Sequence, residues 1–296
     1  MLPVLAGAGS GVAGANPALC GMVVMQSTTL TSDVGPCDST GIVVGASNIV
    51  LDLGGHRVFA RDEVGGEGVG ILLENRTGVT VRNGTVQYFD AGVSIEGGSG
   101  NTIFNIRALD NAGNAGTDYG DGIAVFFSHR NRIANVTAMR NGPYGGIDLI
   151  GNSDFNVIEG STSSNNTVLN SVTHHGGEGT MEDDGIRLEA LGPNATPDSN
   201  VVRGNTVTGN GLDGIAVFPN AKDNQIVGNT IHGNGLLGTA RNGDGIHIFG
   251  FAQRTLVQGN NVQFNARHGI RIDPTASLSV QPRHRILGNV SINNAV

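Results

Sequence analysis

The chain has no tryptophan, few aromatic residues and little charge. Aromatic residues make up 4% and charged residues 14% of its 296 positions, so a core of large side chains would be thinly supplied. Glycine, with 48 residues, is abundant, and valine and isoleucine must fill a narrow interior. This balance favours one elongated repeat body over two ordinary globular domains.

Basic residues and long apolar runs are scarce as well. Lys222 is the single lysine among 17 basic residues, and the formal net charge is −8. A nucleic-acid partner held by a basic surface is therefore not expected. No stretch of 18 apolar residues is present, so we expect no membrane span.

Cysteine is limited to Cys20 and Cys37, whose spacing matches neither a redox motif nor a zinc motif. In an oxidising compartment they would form a disulfide that contributes about 3 kcal/mol. The N-terminal stretch ends in Ala-Gly-Ala at 13–15 but lacks a positive segment, so it suits a signal-peptide remnant or a flexible tail. We predict such a tail over 1–19, one domain over 20–296, and a secreted or periplasmic location.

An internal repeat organises the chain. The hexapeptide DGIAVF occurs at Asp121–Phe126 and again at Asp213–Phe218. Gly-Ile or Gly-Val pairs recur at intervals of 22 to 39 residues, which indicates a base repeat of about 22 to 24 with insertions. These anchors are Gly41, Gly70, Gly92, Gly122, Gly146, Gly185, Gly214, Gly245 and Gly269.

Each repeat predicts three short strands and three turns. The segment after an anchor, such as GIRLE or GIHIF, alternates with period two, as a strand with one buried face does. A second strand of the form NxΦΦxGN follows, for example NVVRGN at 200, and a third comes directly after it. Asparagine recurring at one turn can form a stacked amide ladder.

This pattern resembles the right-handed parallel β-helix repeat family over residues 40–296. The family includes pectate lyases, alginate lyases, alginate C-5 epimerases and the periplasmic maturation protein of nitrous oxide reductase. The resemblance implies an all-β, single-stranded right-handed solenoid of about nine to ten coils. It leaves the function open, because one such fold carries many chemistries and also plain scaffolds.

Polar and aromatic residues recur at the two x positions of the G-I-x-Φ-x strands, and we expect both to face solvent. The long insertions all precede these strands and should wall one side, which predicts a groove for polysaccharide. The first x column contains Asp148, Arg187, His247 and Arg271, and the second contains Phe126, Glu189, Phe218, Phe249 and Asp273. The phenylalanine rings would stack against sugar unless inserted loops cover them.

Two enzymatic readings and one structural reading fit these residues. Asp148 and Glu189 should lie diagonally, about 7 to 8 Å apart, a separation that suits an inverting glycoside hydrolase. Arg187 between them argues against this by keeping both ionised. An exposed ion-pair network in a non-catalytic or carbohydrate-binding scaffold is the structural reading.

The family resemblance favours a lyase or C5-epimerase acting on a uronate polysaccharide. It implies a tyrosine and histidine as acid and base, for which Tyr144 at the groove rim and His247 are candidates, and Tyr119 is a rim residue for substrate. An arginine would neutralise the uronate carboxylate, and the likeness to pectate lyases implies that Arg187 or Arg271 could instead be the base. The Asp-Pro-His motif of the epimerases is missing, and a copper-carrier role has only Met22, Met25 and scattered histidines in its favour.

The loop over 166–184 is rich in histidine and acidic residues. His174 and His175 are candidates for contacting substrate, and Glu182, Asp183 and Asp184 are candidates for a weak calcium site, with a solvated acidic loop as the simpler reading. No cofactor is certain. Aspartates directly before anchors, at 121, 184, 213 and 244, should cap turn amides.

The chain ends within a coil, at VSINNAV. An open coil exposes backbone donors and acceptors that solenoids normally cover. We therefore expect a further domain or another chain, as in a homo-oligomer, to cover it.

Overall fold

The computed structural model describes residues 16–61, 68–112, 120–166, 183–236, 242–274 and 283–295. In these ranges the chain consists of short strands and turns, with one 3₁₀-helix at Pro17–Leu19. No helix in them has the length and apolar character that a membrane crossing requires. The strands, numbered in chain order, coil into three parallel sheets that run the length of the body.

The first sheet, here called the GI sheet, contains every strand that follows a predicted anchor. Its ten strands pair in parallel in the order of the chain, which confirms the predicted register. They are β1 (Met22–Val24), β4 (Ile42–Val44), β7 (Val69–Glu74), β9 (Ala91–Glu96), β11 (Ile123–Phe126), β14 (Gly145–Ile150), β17 (Asp184–Glu189), β20 (Ile215–Val217), β23 (Ile246–Ile248) and β26 (Ile270–Ile272).

Two further sheets close the coil and share the long strands β8 (Thr80–Gln87) and β10 (Thr102–Leu109). One also contains β2 (Thr28–Thr29), β5 (Val50–Asp52), β12 (Arg132–Ala134), β15 (Val157–Glu159), β18 (Val201–Arg203), β21 (Gln225–Val227), β24 (Leu256–Gln258) and β27 (Arg285–Leu287). The other contains β3 (Val34–Cys37), β6 (Arg57–Ala60), β13 (Thr137–Met139), β16 (Thr162–Ser164), β19 (Thr206–Thr208), β22 (Thr230–His232), β25 (Asn261–Gln263) and β28 (Val290–Ile292).

The core is a stack of aliphatic side chains inside the coils. Ile123 and Val125 pair with Ile147 and Leu149 of the next coil, and all four are fully buried. The anchor glycines are needed because the backbone of the next coil lies close: a Cβ on Gly122 would sit 2.5 Å from the carbonyl oxygen of Gly146. The parallel β-helix predicted from the repeat is confirmed.

Buried asparagines stack along the turns, as the repeat predicted. Asn205 accepts a hydrogen bond from the Ser161 amide at 2.9 Å and donates to Asn229 Oδ1 and the Ile158 carbonyl, each at 3.0 Å. Equivalent contacts recur from coil to coil. The ladder thus satisfies turn amides that the coil leaves without strand partners.

The first coil contains the predicted disulfide, between Cys20 and Cys37, whose Cα atoms are 5.5 Å apart. The folded body starts earlier than residue 20. The Asn16 amide donates to the Asp33 carbonyl at 3.0 Å, and Leu19 packs against the core. Residues 16–19 of the predicted tail therefore belong to the β-helix.

Candidate functional site

The first x column of the GI sheet is buried. Asp148 and Arg187 have no exposed surface, and His247 is 5% exposed. Aromatic side chains cover this column: the Arg187 guanidinium lies 4.6 Å from the centre of the Phe218 ring and 5.3 Å from that of Tyr144. The expectation that both x positions face solvent is therefore wrong for the first column up to His247, whereas the Arg271 side chain, at its end, is 30% exposed.

The second x column forms the accessible floor. Phe126, Glu189, Phe218, Phe249 and Asp273 are all half-buried, whereas Ile150, which the strand pattern places in the same column, is buried, so the expected exposure is wrong there. The Phe218 and Phe249 rings stack with their centres 4.9 Å apart. The two rings form an apolar patch between Glu189 and Asp273 of the same column.

A column of aspartates borders the same sheet, and each one caps the next coil. The carboxylate of Asp184 accepts the amide of Asp213 at 2.8 Å, and that of Asp213 accepts the amide of Asp244 at 2.6 Å. Asp121 accepts the Gly145 amide at 3.0 Å in the same way. The predicted capping role is confirmed. Each cap uses one carboxylate oxygen, so the second oxygen can contact side chains of the GI sheet.

Arg187 is the centre of a buried ionic cluster. Its guanidinium lies 3.4 Å from Asp148, 3.9 Å from Asp184 and 3.1 Å from Glu189. Burial, and then repulsion from Asp213, raises the pKa of Asp184 well above its ordinary value, although Arg187 opposes this. One guanidinium thus faces several carboxylates in a water-poor environment.

His247 lies between two carboxylates. Its Nδ1 is 2.9 Å from Asp213 and its Nε2 is 3.2 Å from Asp273, and its ring stacks on Phe249 with centres 3.7 Å apart. Burial lowers the pKa of His247, but the hydrogen bonds and charges of Asp213 and Asp273 outweigh it and leave that pKa raised. The arrangement holds a proton on the imidazole.

These side chains open into a pocket of about 270 Å³, here called the His247 pocket. It is lined by Asp184, Leu212, Asp213, Phe218, Asn242, Asp244, His247, Phe249, Arg267, Arg271 and Asp273. Arg271 bonds Asp273 at 2.8 Å and lies 3.5 Å from Asp244. The Arg267 guanidinium bonds the neutral Asn242 side chain at 3.1 Å, which leaves its charge available to an anion.

Sequence reasoning missed Arg267 and Asp244 as pocket residues. Arg267 precedes an anchor by two positions, in RHGIRID, so only the turn preceding the GI strand could have indicated it. Asp244 was recognised as a capping residue, and its position beside a basic side chain of the next coil depends on the stacking register.

Four further candidates, Phe126, Tyr144, Asp148 and Glu189, line a second pocket of about 280 Å³, which we call the Asp121 pocket. It is lined by Asp121, Phe126, Phe127, Tyr144, Asp148, Ile150, Glu189 and Leu191. Tyr144 and His247 belong to strands three coils apart, which is about 14 Å at the ordinary strand spacing, so they do not form an acid and base pair.

The structure describes only some of the other candidates. Tyr119 and three residues of the acidic loop, His174, His175 and Glu182, lie outside the described residues. Asp183 and Asp184 are buried, with exposed fractions of 0% and 2%, so these two do not belong to a solvated acidic loop.

Comparison with known families fits this architecture. The model of the family described as "Periplasmic copper-binding protein (NosD)" matches residues 53–236, which is more than half of the chain. The chain belongs to the NosD family. A second model, "Right handed beta helix region", matches residues 192–296 and confirms the handedness that the family resemblance implied. No match is found among curated proteins.

Solved structures show the same fold at low sequence identity. The pectate lyase Pel9A is 17% identical with a TM-score of 0.54, over 86% of this chain and 66% of that one. The periplasmic alginate epimerase AlgG is 14% identical with a TM-score of 0.54, over 86% and 65%. Tailspike protein 2 of Escherichia coli O157:H7 bacteriophage CAB120 is 14% identical with a TM-score of 0.56, over 82% and 35%. The NosD-family chain therefore spans about two thirds or less of each of these proteins.

The family description raises the question of copper. Among the described residues, one group of potential ligands has donor atoms within 4.8 Å of one another, namely Asp213, Asp244 and His247. It offers no sulfur for Cu(I), and both cysteines are in the disulfide. Both ring nitrogens of His247 already contact carboxylates. This group does not fit a copper ion, and with one imidazole and few oxygens it does not suit calcium either.

Proposed function

We propose that this protein is exported and acts on a uronate-containing polysaccharide, as a lyase or C5-epimerase, with the His247 pocket as its reaction site. One observation carries the proposal: an imidazole whose two ring nitrogens each contact a carboxylate lies in an open pocket that also contains two guanidinium groups. Both reactions need an acid, a base and a cation at one sugar unit.

The cation acts first. A uronate carboxylate adjoins C5, and a guanidinium bonded to it makes the C5 proton more acidic by stabilising the charge that forms when the proton leaves. Arg267 suits this role because its contact within the pocket is to a neutral amide. Arg271 is engaged by Asp273 and Asp244 and serves to orient them.

Proton transfer then requires two groups at the same unit. Asp273 Oδ2 takes the C5 proton, and the C–H electron pair moves toward the carboxylate. In elimination that pair forms the C4–C5 double bond and expels the glycosidic oxygen, which takes the proton from His247 Nε2. In epimerisation a water molecule on the opposite face protonates C5, and the hydroxide that it becomes takes up the proton held by Asp273.

The surroundings of the pocket support a sugar ligand and an exported protein. Phe218 and Phe249 line the pocket as half-buried rings stacked on each other, and such apolar surface suits the C–H groups of a sugar. The disulfide between Cys20 and Cys37 suits an oxidising compartment. The NosD family is described as periplasmic.

The hydrolase alternative has less in its favour. Asp148 has no exposed surface and lies 3.4 Å from Arg187, which fits a structural ion-pair partner better than an acid or base facing substrate. A non-catalytic scaffold remains the competing function, since every ionic contact on the sheet also serves the fold.

Deuterium exchange at C5 separates these functions. We would incubate the protein in D₂O with alginate, pectate and glycosaminoglycans, with and without calcium, and follow C5 deuteration by NMR and unsaturated product by ultraviolet absorbance. Unsaturated product identifies a lyase, because elimination removes the hydrogen from C5, and C5 deuteration without unsaturation identifies an epimerase.

Variants connect the reaction to the pocket. His247→Gln and Asp273→Asn should each lose turnover by roughly 100-fold or more. His232→Gln, on an exposed histidine of β22, is the matched control and should keep it. If no substrate becomes unsaturated or deuterated at C5, the proposal fails and the scaffold becomes the preferred function.

A further inference from the structure

Phe127 is a large apolar residue that the fold leaves exposed beside the GI sheet. It directly follows β11 and is 48% exposed. Its ring lies against Gly151 of the next coil, where an added Cβ would sit 2.7 Å from Phe127 Cε1. Glycine at that position therefore makes room for the ring, and the rest of the side chain is accessible.

The backbone of Phe127 has a conformation that suits smaller residues. At this turn the amide of each coil donates to a carbonyl of the next coil, and φ is positive: 53° at Asn75, 69° at Gly97, 47° at Phe127 and 65° at Gly151. Asparagine and glycine tolerate this left-handed region, whereas phenylalanine adopts it at a cost. Strain of this kind indicates a function where the surrounding structure makes use of the side chain.

Two pockets meet at Phe127. One is the Asp121 pocket, and the other, of about 310 Å³, is here called the Glu96 pocket. The Glu96 pocket is lined by Val69, Asp90, Ala91, Ser94, Glu96, Gly97, Phe126 and Phe127. Phe155, Phe251 and Phe264 also have positive φ values, but they line neither of these pockets nor the His247 pocket. Among the described phenylalanines, Phe127 alone combines a strained backbone with a place in one of these pockets.

The polar groups beside Phe127 are suited to hydroxyl donors. The Glu96 carboxylate accepts the hydroxyl of Ser94 at 3.0 Å, and its side chain is half-buried, so part of it stays accessible. The described residues that line the Glu96 and Asp121 pockets include no lysine, arginine or histidine. The His247 pocket contains two arginines and suits an anionic ligand. Around Phe127 a ligand carboxylate would face Glu96, so an uncharged ligand fits better.

An exposed ring next to a carboxylate can bind a sugar unit. The ring offers apolar surface to the C–H groups of a pyranose, and the carboxylate accepts hydrogen bonds from its hydroxyls. We propose that Phe127 is the stacking platform of a second carbohydrate site, which takes an uncharged pyranose unit with Glu96 as its hydrogen-bond acceptor. The inference rests on the proposed function only in taking a carbohydrate as the ligand of this sheet. The platform lies about 19 Å from the His247 pocket, counted over four strand spacings between β11 and β23.

A fluorescent reporter tests the site directly. The chain contains no tryptophan, so Phe127→Trp introduces a single indole at the platform and keeps an aromatic ring there. We would titrate this variant with cellohexaose, mannohexaose and galactohexaose and follow the emission. At least one hexasaccharide should shift the emission to shorter wavelength in a saturable manner, because a stacked sugar displaces water from the indole.

The control reporter is Phe264→Trp. Phe264 is 53% exposed with φ of 55°, and it follows β25, which belongs to another sheet. Its emission should not change. Absence of a saturable shift in the Phe127→Trp protein with all three hexasaccharides, or an equal shift in the Phe264→Trp protein, overturns the inference.

An alanine variant tests the platform without added bulk. Phe127→Ala removes the ring and keeps the Cβ, so the turn is retained. By calorimetry, its affinity for the hexasaccharide that gives the shift should be roughly tenfold or more below that of the wild type. Phe264→Ala should keep the wild-type affinity. Equal affinity of the Phe127→Ala and wild-type proteins also overturns the inference.

The charge of the ligand is tested with a matched pair of probes. The hexasaccharide that binds is compared with its counterpart oxidised to carboxylates at C6, using the emission of the Phe127→Trp protein. The uncharged probe should bind roughly tenfold or more tightly, and adding Glu96→Gln should reduce this difference. Equal or tighter binding of the oxidised probe refutes the assignment of an uncharged unit.

The two proposals fail separately. The emission is measured without turnover, so adding His247→Gln should leave the shift unchanged. Loss of both unsaturation and C5 deuteration with an intact shift refutes the proposed reaction alone. Turnover of a uronate polysaccharide without any shift refutes the Phe127 site alone.

Discussion

Replacement of Arg187 tests whether the first x column is a buried electrostatic core or an open floor. An exposed Arg187 on a groove floor would tolerate alanine without loss of folding. In the structure its side chain has no exposed surface and lies within 3.1 to 3.9 Å of three carboxylates. Arg187→Ala should therefore destabilise the protein strongly.

The magnitude follows from the charges left behind. Removing one member of a buried ion pair typically costs about 3 to 5 kcal/mol, because the remaining charge has lost both water and partner. Here Asp148 and Asp184 stay buried without a guanidinium, and part of the cost is relieved if they take up protons. Loss of packing on the Phe218 and Tyr144 rings adds to the cost. We expect a total of roughly 4 kcal/mol.

Urea unfolding at pH 7, followed by circular dichroism, measures this cost. Arg254→Ala is the matched control, because that side chain is 50% exposed and pairs with an exposed carboxylate. Its loss should stay below about 1 kcal/mol. Combining Arg187→Ala with Asp148→Asn should recover part of the stability, since the uncompensated charge is gone. An Arg187→Ala protein as stable as the Arg254→Ala protein would refute the buried-cluster argument.

Two further predictions concern His247 and the asparagine ladder. Because the pKa of His247 is raised in the folded state, its contribution to stability is complete below the unfolded value of about 6.5 and is lost as pH rises through the folded pKa. The stability difference between wild type and His247→Gln should shrink over that range in urea titrations; a constant difference contradicts it. Asn205→Ala leaves the Ser161 amide and the Ile158 carbonyl without partners, and should cost about 2 to 4 kcal/mol in the same assay. Asn261→Ala, at an exposed position, is the control, and equal losses would count against the ladder.

The sequence predicted the fold well because its signals are local and repeated. Each anchor glycine is required by the backbone of the next coil, as at Gly122, so the period is visible directly in the chain. Asparagine at a turn and alternating apolar residues in a strand mark the same coil independently. Agreement among such signals over successive coils leaves few alternative folds.

The candidate site was predicted only in part. The alternation of residues along a strand fixes the direction in which a side chain points, but it does not show whether neighbouring side chains bury it. His247 and Arg187 point away from the core as expected, yet neighbouring rings and carboxylates bury them. A strand pattern contains no information about side chains that reach over it from adjacent coils. Pairings such as that of Asp213 with His247 also depend on register between coils separated by insertions of variable length.

The repeated hexapeptide shows why motif and site must be separated. Asp121 and Asp213 head identical DGIAVF strands, and each caps an amide of the following coil through one oxygen. The second oxygen of each carboxylate faces the residue at the first x position of a following coil. For Asp213 that residue is His247, a base that can hold a proton. For Asp121 it is Asp148, and burial followed by repulsion from this like charge raises the pKa of Asp121. Identical hexapeptides thus place a carboxylate beside a histidine near one end of the sheet and a carboxylate beside a like charge in its middle, and the chemistry of each pocket is determined by the neighbouring coil.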